Sequence, residues 1–338
     1  MPISRLVNAQ AESLEPEDEQ VEVSLRPQNF NQVIGREKEK KTLAMMISSA
    51  TKKDEPLDHL LFHGPPGLGK TSLAHVAAVE MGVSLTITSG PAIIRQGDLA
   101  ALFTSLPKRG ILFIDEIHRL NKTIEEVMYP AMEDRALDLV VGKGAGARTM
   151  RIDLEPFTII GATTRVGLLS KPLLDRFGAD FRLDYYSDSE MVEIVEQKAR
   201  LLGTQIDPGA ARILATTARR TPRIAVKILK RVRDNAISQD LEAITPQLVT
   251  QTLDLLGIDP LGLDYLDRKI LHTLITAFGG RPVGLSSLAA SLSEEIDTLA
   301  DVYEPFLMQE GYIQRTPRGR VPTAKAYKHL GLEYNNES

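Results

Sequence analysis

Three short stretches of this chain join an apolar run to residue types that handle phosphate or activate water. The first is Gly64-Pro65-Pro66-Gly67-Leu68-Gly69-Lys70-Thr71, which has the spacing G-x-x-x-x-G-K-[ST]. Glycines so placed let successive backbone N–H groups turn inward around an anion, and a helix starting at the loop adds the partial positive charge of its N-terminus. In such a loop Lys70 is expected to reach β- and γ-phosphates, and the Thr71 hydroxyl is placed to ligate Mg²⁺. The second stretch is Asp115-Glu116, directly after Ile111–Ile114. Carboxylates at the C-terminal end of a buried strand lie where α/β sheets bind ligands. Asp115 suits the ordering of Mg²⁺, and Glu116 suits polarisation of an attacking water, a general-base role. The third is FTIIGATTR at 157–165, where Thr163 and Thr164 could sense a γ-phosphate or orient the water, or simply form a turn.

These residues need elements to carry them. Leu60-Leu61-Phe62 is a short apolar run suited to a buried parallel strand, and Leu73, Ala74, Ala77 and Ala78 continue at helical spacing. The first motif therefore stands between a strand and a helix, the context that separates a true phosphate loop from a chance glycine turn. Residues 21–184 alternate strand and helix patterns, which predicts a mostly parallel sheet covered on both faces. Within them, 137–153 reads as a hairpin turning at Gly142, Gly144 and Gly146. Residues 185–257 have only helical patterns, each opened by a polar residue or Pro, and predict a small all-α lid. Residues 258–332 predict three short helices and then the hairpin GYIQRTPRGRVPT, the plan of a winged-helix domain. The termini, 1–20 and 333–338, read as tails, the first polar and acidic.

Composition narrows the function classes. The 338 residues contain no Cys, which excludes disulfides and thiolate metal sites. No apolar run is long enough to span a membrane and no secretory leader is recognisable, so a cytoplasmic chain is expected. The net charge of -5 argues against a general nucleic-acid coat. Against that background, 313–328 carries five Lys or Arg and no acid. Arg315 and Arg320, with Arg318 beside them, are expected to meet DNA phosphates from the wing; a solvated turn is the plainer alternative.

In combination the motifs carry a resemblance. GPPGLGKT, LFIDEIHRL, GATTR, LLDRFG and TPRIA, in this order, resemble the AAA+ ATPases. LRPQNFNQVIGREKEKKTL at 25–43, MEDRALDLVVGKGAGARTMRIDLEPFTIIGATTR at 132–165 and the C-terminal VYEPFLMQEGYIQRTPRGR are similar to the RuvB family, bacterial motors that migrate Holliday junctions. The resemblance spans about 21–332. It implies nucleotide contacts from Leu25, Arg26, Gly67, Lys70, Thr71, Ser72, Glu133, Asp134, Arg135 and Tyr186. It also implies Thr164 as sensor 1, Arg223 as sensor 2 and Arg176 as an arginine finger reaching a neighbouring subunit's site. Read alone, Arg176 and Arg223 are as readily surface residues. The implied substrate is ATP, with Mg²⁺. The implied partners are double-stranded DNA at junctions, RuvA docking on the hairpin 137–153, the RuvC resolvase and five further copies in a homohexamer. Two positions depart from the family pattern. Arg135 stands where Phe is usual, and Ile296 where many relatives carry Arg. A non-motor AAA+ loader or switch would share the phosphate loop and Arg176, but has no need of the hairpin or a terminal wing.

Overall fold

The computed structural model describes residues 25–141 and 148–334. Two compact units emerge from it. One holds Arg26–Gly64 and Leu68–Asp184; the other holds Leu25, Pro65–Gly67 and everything from Tyr185 onward.

The first unit opens with helix α1 (Glu37–Lys53) and strand β1 (Leu60–His63), followed by α2 (Lys70–Met81) and β2 (Leu85–Ser89). Helix α3 (Gln96–Ser105), β3 (Ile111–Asp115) and α4 (Lys122–Asp134) come next. Then follow β4 (Ala136–Val141), β5 (Arg148–Asp153), β6 (Thr158–Thr163), α5 (Lys171–Leu174) and β7 (Ala179–Arg182). Five strands form one parallel sheet in the order β2-β3-β6-β1-β7. The expected parallel sheet is thus observed. Its central strands are mostly apolar because both faces are covered: all four residues Ile111–Ile114 and all six of Thr158–Thr163 are buried. Leu61, Leu112, Ile114, Phe103, Met128 and Phe157 belong to the core beside them.

The expected hairpin is present as β4 paired antiparallel with β5, Ala136 opposite Asp153 and Val141 opposite Arg148. Its glycine turn lies outside the described residues, as do both expected tails apart from a few residues of the second.

In the second unit, α6 (Asp188–Leu201), β8 (Gln205–Ile206), α7 (Pro208–Thr217), α8 (Pro222–Ser238), β9 (Ala243–Ile244) and α9 (Pro246–Leu256) make the lid. Three of its four helices begin with Pro, where a missing N–H leaves no bond unmade. The lid is not purely helical, since β8 and β9 pair over two residues. Helices α10 (Tyr265–His272) and α11 (Leu285–Leu292) open the last domain. The third helical stretch is α12 (Ile296–Thr298), a π turn over Leu299–Tyr303 and α13 (Glu304–Gln309). The hairpin β10 (Ile313–Thr316) and β11 (Gly319–Pro322) and a closing α14 (Ala324–His329) complete the winged helix. Tyr303, Tyr312, Leu263, Leu271 and Leu307 form its core, each with 1% exposure or less.

Candidate ATP hydrolysis site and winged-helix surface

The phosphate loop is shaped by glycines that no other residue could replace. Gly64 has φ +139°, and a Cβ there would stand 2.2 Å from the Leu183 carbonyl oxygen. Gly69 caps α2 at φ 93° with no side chain bonded to the helix start. The first N–H groups of α2 therefore meet no side-chain cap, which suits them to phosphate oxygens. Lys70 is 7% exposed, with its ammonium donating to the Gly64 carbonyl at 2.9 Å. A cation so buried and bonded to the loop's own backbone is held ready for a stronger anion. Thr71 and Ser72 follow it, half-buried. The loop therefore fits a nucleotide. A magnesium ion would find the Thr71 hydroxyl and Asp115 at the sheet's C-terminal edge, a small oxygen set that leaves room for phosphates and water. Among the described residues no larger cluster of metal-ligating side chains exists.

Asp115 ends β3, and Glu116 follows in the left-handed region at φ 46°. Such a φ in a non-glycine residue is strained and recurs at functional sites. Here it turns the Glu116 carboxylate toward the end of β6. Glu116 Oε2 accepts from Thr164 Oγ1 at 3.2 Å and lies 3.1 Å from His118 Nδ1. His118 in turn meets Thr163 Oγ1 at 2.9 Å. The two threonines thus divide their work: Thr164 holds the carboxylate, and Thr163 holds the imidazole beside it. His118 gave no signal in the sequence; only the pairing of β3 with β6 shows its part.

Of the other expected nucleotide residues, Arg223, Tyr186 and Leu25 lie in the second unit and Arg26 in the first. Arg223 is the second residue of α8, and a Cβ on Gly67 would lie 3.1 Å from its Cβ. Pro66, Gly67, Tyr185, Thr221 and Arg223 border a cavity of about 140 Å³ that extends along α8 to Val302 and Phe306. Tyr186 is buried. Leu25 is buried, its carbonyl accepting from the Lys198 ammonium at 2.7 Å. Burial pulls the Lys198 pKa down to about 8. The backbone carbonyl of Arg26 accepts from the Gln28 side chain at 3.1 Å.

Glu133, Asp134 and Arg135 are not gathered with Lys70. They end α4, where the Met132 carbonyl meets His59 Nε2 at 3.2 Å. His59 precedes β1, whereas Gly64 follows it. Arg135 is itself left-handed at φ 55° and caps α4, its carbonyl accepting from Leu154 N–H at 2.8 Å. Arg176 lies at the same strand ends, since Gly178 N–H donates to the His59 carbonyl at 2.8 Å. Its guanidinium is 3.0 Å from Glu133 Oε1 and 4.3 Å from the centre of the Tyr129 ring.

On the wing, Arg315 and Arg318 are exposed, as expected of phosphate-binding residues. Arg320 differs. Its side chain is 13% exposed and grips Glu304 with both arms, Nε to Oε1 at 2.9 Å and Nη2 to Oε2 at 2.8 Å. Its backbone also pairs with Val283 in both directions. Gly319, at φ +137°, lies against that same Val283, where a Cβ would meet the carbonyl at 2.4 Å. The charge of Arg320 is therefore engaged in fixing the wing. Ile296 is 49% exposed at the start of α12, between Glu295 and Asp297.

Lid and winged helix are joined through one buried cluster. Arg219, at the left-handed φ 52°, places its guanidinium against Asp264 Oδ2 at 2.9 Å and against Asp267 Oδ2, with Phe306 4.8 Å beneath it. Asp267 is fully buried, and the loss of water pushes its carboxyl up against the opposing pull of the Arg219 guanidinium.

A P-loop in a parallel sheet, a carboxylate dyad at the end of the next strand but one, a helical lid and a terminal winged helix together define an AAA+ ATPase built to act with nucleic acid. Comparison with known proteins gives the family. The model of the Holliday junction DNA helicase RuvB P-loop domain matches residues 25–183. The RuvB lid model matches 186–259, and the RuvB C-terminal winged-helix model matches 260–331. The Holliday junction branch migration complex subunit RuvB of Chloroflexus aurantiacus is 57% identical over 334 residues, 99% of this chain and 95% of that protein. Its counterpart in Dehalococcoides mccartyi is 52% identical over 321 residues, 95% and 92% of the two chains. The solved Thermotoga maritima RuvB Holliday junction branch migration motor superposes with a TM-score of 0.84 at 48% identity, over 92% of this chain and 100% of that one. This chain belongs to the RuvB family, and is thereby an AAA+ ATPase.

Proposed function

We propose that this chain is the ATP-driven subunit of a junction migration machine, converting ATP hydrolysis into movement of double-stranded DNA at Holliday junctions during recombination and repair. It works as a homohexamer with RuvA, docked on the hairpin of β4 and β5, in a complex that can also hold the RuvC resolvase. The setting is the cytoplasm; among the described residues no helix is long and apolar enough to cross a membrane. One observation carries the reading. A single chain holds the Glu116 carboxylate, bonded by Thr164 at a strand end beside the phosphate loop, and a winged helix whose hairpin exposes Arg315 and Arg318 and carries no acid. Phosphate contacts position a protein without fixing sequence, as translocation along any DNA requires.

In this reading Lys70 and the start of α2 bind the phosphates. Thr71 and Asp115 would hold Mg²⁺, which supplies charge to the phosphate oxygens. Glu116 takes the proton of the attacking water while Thr164 and His118 fix its direction. Arg223 on the lid registers the nucleotide, and Arg176 enters the neighbouring copy's site. Arg315 and Arg318 hold DNA; Arg320 can join them by exchanging Glu304 for a phosphate, which offers the same two-oxygen geometry. The test is migration of a synthetic four-way junction by the chain with RuvA and ATP. Hydrolysis without any junction movement would overturn the reading in favour of a non-motor switch.

A further inference from the structure

Helix α4 presents Glu125, Tyr129 and Glu133 four residues apart, on one face. The three side chains form a ladder beside Arg176. Glu125 is 6% exposed and accepts from the Tyr129 hydroxyl at 3.2 Å and from Ser170 Oγ at 2.6 Å. Tyr129 also meets Ser170 Oγ at 3.0 Å. The ring, held at its hydroxyl, lies under the Arg176 guanidinium, whose Cζ is 4.3 Å from the ring centre. The guanidinium then donates through Nη1 to the Pro172 carbonyl at 2.6 Å and through Nη2 to Glu133 at 3.0 Å. Arg176 is 19% exposed and Glu133 58% exposed, so the end of the ladder opens to solvent.

The position of this ladder decides whose nucleotide it can serve. Met132 and Gly178 bond to His59, before β1 begins, whereas Gly64 opens the phosphate loop after β1 ends. A four-residue strand spans about 13 Å at roughly 3.3 Å per residue. Glu133 and Arg176 therefore stand at the opposite end of the sheet from the chain's own Lys70.

We propose that Tyr129 and Glu133 are positioning residues for Arg176 that act in trans. They seat its guanidinium for the nucleotide of a second copy of this chain, the Glu133 carboxylate standing where a phosphate oxygen will take over Nη2. The proposal rests on Arg176 being a finger and adds the residues that aim it. Glu133 thereby serves the neighbour's site and leaves the chain's own phosphate loop untouched.

The test uses full-length chains assembled on DNA. The double variant Tyr129→Leu/Glu133→Ala should lose about threefold to fivefold in kcat, the scale of the one contact, cation–π, that is kept when Nη2 passes from Glu133 to phosphate. KM and binding of a fluorescent ATP analogue should hold, because the phosphate loop is intact. Tyr129→Phe keeps the ring and should recover most of what Tyr129→Leu loses. Mixed rings of the double variant with Lys70→Ala should hydrolyse faster than the two kinds of ring assayed separately, because a mixed interface joins an intact Lys70 to an intact ladder. Arg176→Ala mixed with Lys70→Ala is the reference. If the reference recovers and the double variant does not, the ladder works only within its own subunit and the proposal is overturned while the finger stands. If neither recovers in confirmed mixed rings, the finger assignment falls and the proposal with it. A KM that rises with kcat unchanged also overturns it, since that places the two residues in nucleotide binding.

Discussion

Two charged clusters in this molecule are built on opposite plans. Around Glu116 the contacts are loose, Thr164 Oγ1 at 3.2 Å, Thr164 N–H at 3.5 Å and His118 Nδ1 at 3.1 Å, and the carboxylate side chain keeps 31% exposure. Around Arg219 the guanidinium meets two carboxylates and the Gly262 carbonyl, with side-chain exposures of 7%, 4% and 0% for Arg219, Asp264 and Asp267. The first arrangement can exchange a partner for water or phosphate at little expense. The second cannot, because separating buried ions leaves an uncompensated charge in a dry interior. Charge that must act is left exchangeable, and charge that must hold two domains together is sealed. The wing contains both plans within six residues: Arg320 is sealed on Glu304, while Arg315 and Arg318 stay open.

The largest expected effect falls on the exchangeable cluster. Glu116→Gln keeps the shape and the bond from Thr164 but cannot take a proton, so turnover should drop by about 10²–10⁴. ATP should still bind, because Lys70 is untouched; Lys70→Ala should weaken binding itself. A Glu116→Gln protein that hydrolyses at the parental rate would show that the base is another group.

Next comes the sealed cluster. Arg219→Ala leaves Asp264 and Asp267 buried and unpaired, and should destabilise the fold by about 3–5 kcal/mol in denaturant titration. Adding Asp264→Asn and Asp267→Asn to it should recover much of that loss, because the stranded charges are then gone. Single-variant unfolding indistinguishable from the parent would mean the joint is open to water.

These two sites also differ in how far they could be read from residue order. Lys70, Asp115, Glu116 and the lid's Pro-started helices were legible because each signal is local: a motif beside an apolar run, or a residue at a helix start. The sheet, lid and winged helix followed from the same periodicities. The partners were not legible. Thr164 lies 48 residues from Glu116, and Arg219 lies 48 from Asp267, so only strand pairing and domain packing reveal them. Arg320 misled for the same reason. A basic run looks uniformly solvated until the register of β11 against Val283 turns one arginine inward toward Glu304. Tyr129 carries no signal in the sequence; only the Arg176 guanidinium over its ring shows its part.

Lys198 lies between the two plans, buried like Arg219 but donating to the Leu25 carbonyl and the Gln197 side chain in place of a carboxylate. Burial lowers its pKa from 10.5 to about 8. The unfolded chain therefore holds a proton that the folded chain releases between those values, and stability rises with pH across that window. Between pH 7 and 9.5 the gain should be about 2 kcal/mol, and Lys198→Met should abolish that rise. Parent and variant with parallel stability curves over this range would show that the ammonium stays hydrated.

The smallest effect in free energy, and the sharpest test of open against sealed charge, lies on the wing. Each phosphate neutralised on duplex DNA contributes about 0.9 to the slope of log K against log salt. Arg315→Ala with Arg318→Ala should flatten that slope by up to about 1.8 per engaged subunit, and equally on two unrelated duplexes, because phosphates carry no base identity. Arg320→Ala should behave differently. It strands Glu304, which is 8% exposed, so thermal stability of the winged helix should fall before any change in salt slope is considered. Arg320→Ala paired with Glu304→Gln separates the two roles. If this pair restores stability and keeps the parental slope, Arg320 only braces the wing. If stability returns but the slope still flattens by about 0.9, Arg320 leaves Glu304 for phosphate when DNA arrives, and the sealed charge is itself exchangeable.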